Sequence, residues 1–438
     1  MNINVSFGEA IDKYSILELK LKKIIDPNKL IEIQNEINIL YLCLQYKNKY
    51  KFYYNLLMHV NEKIWDTTDI IKTIKLDNPQ FSVLSNDVFE FNQKRFRIKN
   101  WFNLLVKSNI KEQKSYATTH CKIVINNEDT FYNKIAEINY LSLDYDIVSF
   151  EAPALLTTIK KIFNLPTFIY EDSDINKLPT PTIINIEDVN ITEKTNRAIF
   201  EFTPIIYING GMFGDFIQSL SVINEKFYET GRKGNLFIGN KGDKFRNGIE
   251  NTYTDTYQTI IKQKYINEYK IHNNELYDID LTIWRNSPNL CKFNWYELYK
   301  DTYNVEWGKH VWLDSTLDEK WNDIILINTT HYRWTNTIDY TLLKKKFLKL
   351  VFISSDINEY NFFITNTKLH IPFYKFTNFS DLCIAINSCK LFVGSFSAPL
   401  SIAHAFNKNR IIGKCDCLFD IIKNSKLNII WDNIRYEV

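Results

Sequence analysis

A chain of 438 residues, 45% of them hydrophobic and 24% charged, has room for roughly two to four domains and enough apolar side chains to bury a core in each. Its 53 basic and 51 acidic side chains leave a net charge of +2, which removes the basic footprint of a protein built to hold nucleic-acid backbones. Seven scattered cysteines without a Cys-x-x-Cys pair argue against a zinc ribbon or a disulfide framework, and no apolar run reaches the ~18 residues of a membrane span. The start, MNINVSFGEAIDK, carries neither a cationic nor an apolar leader region, so a reduced, soluble, cytoplasmic protein is expected. Cys415-Asp416-Cys417 is a lone C-x-C, and no metal site is expected there or elsewhere.

Residues 1–118 read as a helical bundle. Ser6-Phe7-Gly8-Glu9 has the form of a capping box, and Ala10, Tyr14, Leu17, Leu21 and Ile24 follow at helical spacing. Pro27 ends that helix. Leu30, Ile33, Ile37, Leu40 and Leu44 mark a second helix, Leu57, Val60 and Ile64 a third, and Val88 to Leu105 a fourth after Pro79. The polar residues Glu9, Asp12, Lys13 and Glu18 are read as a solvated helix face, and the N-terminal helices as a possible homo-oligomer contact.

Residues 119–203 change character. Three short β-branched runs, at 121–125, 146–150 and 167–170, alternate with helix-like stretches, the pattern of a small β-α-β-α-β unit with parallel strands. From 171 to 203 the chain is polar and proline-containing, and is read as a linker.

From 204 onward the pattern is strand, loop, helix, twice over. Ile205-Ile206-Tyr207-Ile208 runs into Asn209-Gly210-Gly211-Met212-Phe213-Gly214-Asp215 and then an amphipathic helix, with the next strand at 235–238. Strands at 323–328, 350–354 and 391–393 follow, the last leading into Gly394-Ser395-Phe396-Ser397-Ala398-Pro399 and a helix. Two such units in tandem imply two Rossmann-like lobes, 204–320 on the acceptor side and 321–438 on the donor side, with a cleft between them. The expected class is therefore α/β, preceded by an all-α bundle.

Only 12 residues of the chain are glycine, against about 7% in an average protein, so Gly210, Gly211 and Gly214 within one strand-to-helix loop are informative. Such a loop offers free amides at a helix N-terminus to an anion. Asn209 stands where a dinucleotide fingerprint needs its first glycine, and Asp215-Phe216 stands where a phosphate loop needs Lys-Ser/Thr, so neither motif is present. Asp215 is either a carboxylate placed against the helix dipole or a general base at the mouth of the cleft. Gly394, Ser395 and Ser397 offer hydroxyls and a helix N-terminus to a diphosphate; Asn328, His331 and Arg333 should leave the same sheet edge, with Arg333 the best phosphate partner and His404 a weaker candidate. Asp144-Tyr145-Asp146 and Asp278-Ile279-Asp280 have the form of metal-diphosphate pairs, but two copies in unrelated contexts argue for coincidence. Trp284, Trp295, Trp307 and Trp312 read as core and rim, with Trp284-Arg285 positioned to stack on a sugar or base.

Residues 204–438 resemble the bacterial heptosyltransferase-type glycosyltransferases, which have the two-lobed GT-B fold. Gly214-Asp215, preceded by Gly210-Gly211, matches that family's glycine-rich loop ending in Gly-Asp. The family's C-terminal signature, roughly G-x-D-S-G-x-x-H-x-A, lies over the ten residues from Gly394 to Ala403, with Phe396 in place of the acid and Ser401 in place of the histidine. The resemblance implies a nucleotide-sugar donor as substrate, a glycan or lipid-linked acceptor, no separate cofactor, and Asp215 as the base. Two alternatives remain open, a degenerate sugar- or nucleotide-binding module and a nucleotide-sugar epimerase. Residues 1–118 resemble a helical family of unknown function through Ser6-Phe7-Gly8-Glu9, Asn61-Glu62-Lys63-Ile64-Trp65-Asp66 and Glu112-Gln113-Lys114-Ser115-Tyr116.

Overall fold

A computed structural model describes residues 4–110, 117–163, 165, 167–170, 178–191, 196–241, 244–290, 295–334 and 338–412. The strings at 112–116 and 415–417, and Cys291, lie outside the described residues. The chain forms two compact units: residues 1–203 with 229–231, and residues 204–228 with 232–438.

The first unit opens with five helices: α1 (Phe7–Lys23), α2 (Pro27–Ile39), α3 (Leu42–Lys49), α4 (Lys51–Thr73) and α5 (Pro79–Leu105). Ser6 caps α1, its Oγ accepting from the Glu9 amide at 3.2 Å, while the Glu9 carboxylate goes to Lys99 at 2.5 Å. The predicted second helix is two, divided by a turn at Leu40-Tyr41. The buried face of α1 is also rotated from the predicted stripe: Ile11, Tyr14, Leu17 and Leu19 are interior, together with Asp12 and Ser15. Asp12, expected in solvent, is 2% exposed. That correction has a long-range cause, because Arg95 of α5 pairs with its carboxylate (Nη2 to Oδ2, 2.5 Å) and Asn61 of α4 donates to it (3.0 Å). Lys13 does face outward and pairs with Glu36 at 2.7 Å.

The unit continues with a four-stranded parallel sheet in the order β3-β2-β1-β4, built from β1 (His120–Val124), β2 (Ile147–Glu151), β3 (Phe168–Ile169) and β4 (Thr182–Asn185). Helices α6 (Glu128–Asn133), α7 (Ile135–Ser142) and α8 (Leu156–Ile162) form the connections. The segment read as a linker therefore supplies β4, which pairs with β1. An edge strand buries little and needs no apolar run, so composition did not mark it.

The second unit holds two further parallel sheets. The first has the order β7-β6-β5-β8, from β5 (Ile205–Asn209), β6 (Gly234–Ile238), β7 (Ile266–Ile271) and β8 (Ile279–Asp280), with α9 (Phe213–Thr230) and α10 (Ile249–Ile260) as crossovers; α11 (Trp295–Tyr303) follows it. The next has the order β11-β10-β9-β12-β13, from β9 (Ile325–Asn328), β10 (Leu350–Ser354), β11 (Phe373–Lys375), β12 (Leu391–Gly394) and β13 (Arg410–Ile412). Its helices are α12 (Tyr340–Lys346), α13 (Ile357–Thr367), α14 (Phe379–Ser388) and α15 (Ala398–Ala405). Numbered within each sheet, the first two run 3-2-1-4 and the last 3-2-1-4-5, the doubly wound order whose reversal lies between strands 1 and 4. Helix α9 is interior along one face through Phe216, Leu220, Ile223 and Phe227. Ile327, Phe352, Phe363, Leu391 and Val393 fill the core of the last sheet. Trp307 and Trp312 are buried, each donating its indole N–H to a carbonyl of α9, those of Gln218 (3.0 Å) and Ile217 (2.8 Å).

Among the described residues no helix is long and apolar enough to cross a membrane. The two D-x-D strings hold local structure: Asp144 pairs with Lys94 at 3.0 Å, Asp146 with Arg97 at 2.9 Å, Asp278 accepts from the Ile206 amide at 2.8 Å, and Asp280 accepts from the Thr282 amide at 2.8 Å.

Candidate functional site

In a doubly wound sheet the ligand crevice lies outside the carboxyl ends of strands 1 and 4. In the second unit those ends are the loops after β5 and β8 in one sheet and after β9 and β12 in the other. The predicted site residues other than His404 all sit at the carboxyl ends of β5, β9 and β12, in the loops that follow them, or in the first turn of α9.

After β5 the backbone must turn sharply into α9. Gly211 has φ +98°, and a Cβ there would stand 2.6 Å from the Arg285 guanidinium. Gly210 is enclosed by the Lys241 and Gly239 carbonyls. The space beside these two glycines is taken up by the chain's own backbone and by Arg285. Gly214 lies where the first turns of α9 and α15 meet, its Cβ position 3.1 Å from Ser401 Oγ and 3.6 Å from the Ala398 Cα. Gln218 Nε2 donates to the same Ser401 hydroxyl at 3.2 Å. The glycine loop and the Gly394–Pro399 loop, 180 residues apart in the chain, are therefore direct neighbours.

Asp215, in the first turn of α9, accepts a hydrogen bond and ion pair from Arg285 Nη2 at 2.7 Å. Arg285 follows β8 and lies over the face of Trp284 at 4.3 Å. Trp284 itself is buried against Trp295 and Tyr299, the core placement expected of it, and the alternative of a ring stacked on a sugar or base is not what the structure shows.

Strand β9 ends at Asn328, and the loop after it carries Thr329, Thr330, His331, Tyr332 and Arg333. Asn328 is interior: its amide donates to the Ile353 carbonyl at 2.8 Å and its oxygen accepts from Ser397 Oγ at 3.2 Å. It braces two strand ends rather than reaching for a ligand, and Ser397, which also points to the Ser395 carbonyl at 3.1 Å, does not cap α15 with its side chain. Gly394 is packed beneath Phe392 and the Asn328 carbonyl. Ser395 is fully buried, and among the described residues its hydroxyl has no partner; the buried atoms Thr329 Oγ1, Thr330 Oγ1 and Arg333 Nε likewise have none there. Three hydroxyls and one guanidinium N–H at one strand-1/strand-4 edge thus stand without a partner among the described residues, and a buried polar group left so costs about 1–3 kcal/mol.

Arg333 donates through Nη1 to the Phe396 carbonyl. Burial pushes its guanidinium below the usual arginine value, Asp215 works in the opposite direction, and Arg246 adds to the lowering. Arg246 comes from the loop after β6 and meets Tyr332 by a hydrogen bond (3.3 Å) and by its ring face (5.3 Å). His331 is exposed and packs edge-on to Tyr332. Nearby Glu359 accepts from Ser354 Oγ at 2.5 Å; burial raises its carboxyl above the ordinary range, while His331 pulls it down.

His404 is displaced from the expected role. It is 5% exposed, stacks on Trp307 at 5.1 Å, and meets Arg410 Nη2 through Nδ1 at 3.0 Å. Since arginine only donates, Nδ1 accepts and the neutral ring carries its proton on Nε2. Burial first, and Arg410 second, hold its pKa well below 6.5.

Sequence reading missed Arg246, Thr329, Thr330, Tyr332 and Glu359. Arg285 was seen only as a stacking partner. None lies in a motif, and the available signal was position alone: Thr329, Thr330 and Tyr332 follow β9, Glu359 opens α13, and Arg246 stands between β6 and α10.

Residues 1–136 match a family described as a family of unknown function (DUF6165). The matched stretch runs past residue 118 and includes β1 and α6. No curated protein matches the chain. Among solved structures the chain is similar to the iron-containing dodecameric glycosyltransferase TibC of enterotoxigenic E. coli, at 10% identity and a TM-score of 0.37, over 48% of this chain and 58% of that one. It is also similar to the ADP-heptose lps heptosyltransferase II of E. coli (11% identity, TM-score 0.33, 50% of this chain and 89% of that one). A glycosyl transferase of family 9 from Veillonella parvula gives 10% identity and a TM-score of 0.35, over 48% of this chain and 81% of that one. The chain thus spans little more than half the length of the TibC structure.

Proposed function

We propose that the second unit is a glycosyltransferase that moves a sugar from a nucleotide diphosphate to an acceptor hydroxyl without a metal ion. The observation that supports this reading is the edge between β9 and β12, where Ser395, Thr329, Thr330 and Arg333 carry buried polar atoms without partners among the described residues, near the first turn of α9 that bears Asp215. In this reading the diphosphate takes up the orphaned hydroxyls and faces Arg333, whose fork suits phosphate oxygens. The Asp215 carboxylate accepts the acceptor's proton as that oxygen bonds to the anomeric carbon. The bond from that carbon to the diphosphate breaks, and the growing negative charge is met by Arg333. His331 and the α15 N-terminus stand at the same edge and are assigned to donor contact.

Asp215→Asn should lower transfer by about 10²–10⁴-fold while leaving nucleotide diphosphate affinity within about twofold. Arg333→Ala should weaken that affinity by about tenfold or more. Calorimetric titration with UDP, ADP and GDP, followed by a donor-hydrolysis assay on each variant, reads both. Full transfer by Asp215→Asn at saturating substrate would end the base assignment.

A second reading has one observation in its favour: Asp215 already holds an internal arginine at 2.7 Å. A binding module without catalysis would keep such a pair permanently. Tight diphosphate binding with no turnover of any nucleotide sugar would select that reading.

A further inference from the structure

The ion pair between Arg285 and Asp215 spans the switch point of its sheet. Asp215 lies in the first turn of the helix after β5, strand 1, and Arg285 stands in the turn after β8, strand 4. An ion pair on an open surface stabilises little, because holding two long side chains in one geometry costs entropy. This pair is built into its surroundings. Asp280 closes the turn before Arg285, accepting from the Thr282 amide at 2.8 Å and from its hydroxyl at 2.7 Å, and the Arg285 amide donates to the Thr282 carbonyl at 3.2 Å. The guanidinium then lies over the Trp284 ring at 4.3 Å, and that ring is held by Trp295 at 4.8 Å and Tyr299 at 6.0 Å. The loop after β5 makes room for it: a Cβ at Gly211 would stand 2.6 Å from Arg285 Nη2, the nitrogen that donates to Asp215 Oδ2 at 2.7 Å. The Arg285 side chain is 16% exposed and that of Asp215 25%, so the carboxylate is paired without being walled off.

Resting on the reading of Asp215 as the base, we infer that Arg285 is a positioning residue of the transfer reaction: clamped on Trp284 and admitted by Gly211, it holds the Asp215 carboxylate in one orientation toward the acceptor hydroxyl. A short side chain in the first turn of a helix has more than one staggered rotamer open to it, and proton abstraction needs a carboxylate oxygen within about 2.6–3.2 Å of the attacking hydroxyl. A planar guanidinium fixed by stacking removes that freedom before substrate arrives. Its charge acts the other way. A neighbouring cation favours the ionised carboxylate, which keeps it ready at lower pH but makes it a weaker base. Orientation and charge therefore leave opposite marks on kcat. Among the described residues the pair is faced by Arg333 from the loop after β9, by Tyr299 and Tyr303 of α11, and by Asp280 at the end of β8. Burial pushes both tyrosine hydroxyls well above their usual value, so these rings stay neutral while Asp215 titrates.

The test follows hydrolysis of UDP-glucose, ADP-glucose and GDP-mannose by the full chain across pH, water taking the acceptor's place, with the fastest donor used for the variants. Arg285→Met should lower kcat by about 10–10²-fold at neutral pH and move the acid limb of its profile to higher pH. KM for the donor and the affinity for the matching nucleotide diphosphate should stay within about twofold. Arg285→Lys, the gentler variant, keeps the charge without the planar fork; it should leave the acid limb in place and recover only part of kcat. In an Asp215→Asn background, Arg285→Met should change the rate by less than about twofold, since the arginine acts through the carboxylate. An unchanged or raised kcat in Arg285→Met, a loss carried by KM or by diphosphate affinity, or an undiminished further loss in the Asp215→Asn background would overturn the positioning role and leave Asp215 as the base. Full hydrolysis by Asp215→Asn, or diphosphate binding without turnover of any donor by the unaltered chain, would instead remove the reading on which that role rests, and the role with it.

Discussion

Single residues carry the sharpest consequences at Gly211 and His404. At Gly211 the left-handed backbone and the neighbouring Arg285 both exclude a side chain. Gly211→Ala should therefore cost about 1–2 kcal/mol in backbone strain and push Arg285 away from Asp215. Chemical denaturation should read the first effect, and a fall in transfer or diphosphate binding the second. His404 gives a pH signature. Because its folded pKa lies below its unfolded value of about 6.5, the unfolded chain takes up the proton first as pH falls. Stability from this group is full above pH 6.5 and declines below it, by up to about 1.4 kcal/mol per pH unit. His59, also held low by burial, adds a decline of its own. Urea midpoints measured from pH 7 to pH 5 should fall, and His404→Gln should flatten part of that slope while leaving nucleotide affinity unchanged.

At the scale of elements, helices were read accurately where their own residues decide them and less well where partners do. The cap at Ser6 and the stop before Pro27 depend on neighbours a few positions away, and both stand where the spacing placed them. The inward face of α1 depends on Arg95 and Asn61, 83 and 49 residues distant, and the periodicity of apolar side chains carried no trace of them. Asp12→Ala should accordingly destabilise the first unit by about 3–5 kcal/mol, since it withdraws the carboxylate into which α4 and α5 direct their polar groups. A loss below about 1 kcal/mol in thermal or urea unfolding would show that the network contributes little. Strand β4 and the short strands β8, β11 and β13 escaped notice for a related reason. Each has two to four residues, too few for any period to emerge, and each is defined by the strand beside it.

For the whole molecule, the division into residues 1–203 with 229–231 and residues 204–228 with 232–438 gives each unit its own buried core. A fragment of residues 204–438 should keep native-like circular dichroism and bind nucleotide diphosphate within about threefold of the full chain, because the orphaned hydroxyls, Arg333 and Asp215 all lie within it. Residues 1–203 should show no such binding. Calorimetry on both fragments checks the pair of expectations, and a fragment 204–438 that folds yet loses the ligand would move the site elsewhere.

The sequence alone determined where strand gives way to loop and loop to helix around Asn209–Asp215 and Gly394–Pro399, because glycine placement, β-branched runs and capping residues act over a few bonds. It also determined the repeated α/β pattern after residue 204 and the helical character of residues 1–110. Only the tertiary structure decided that Arg285 and Arg246 join the Asp215 and Arg333 loops, that His404 and Asp12 are interior, and that Asn328 braces strands. Those outcomes follow from the 3-2-1-4 strand order and from ion pairs between residues tens of positions apart. A chain read in one dimension records such pairings as unrelated letters, and only the folded backbone brings their charges within reach of one another.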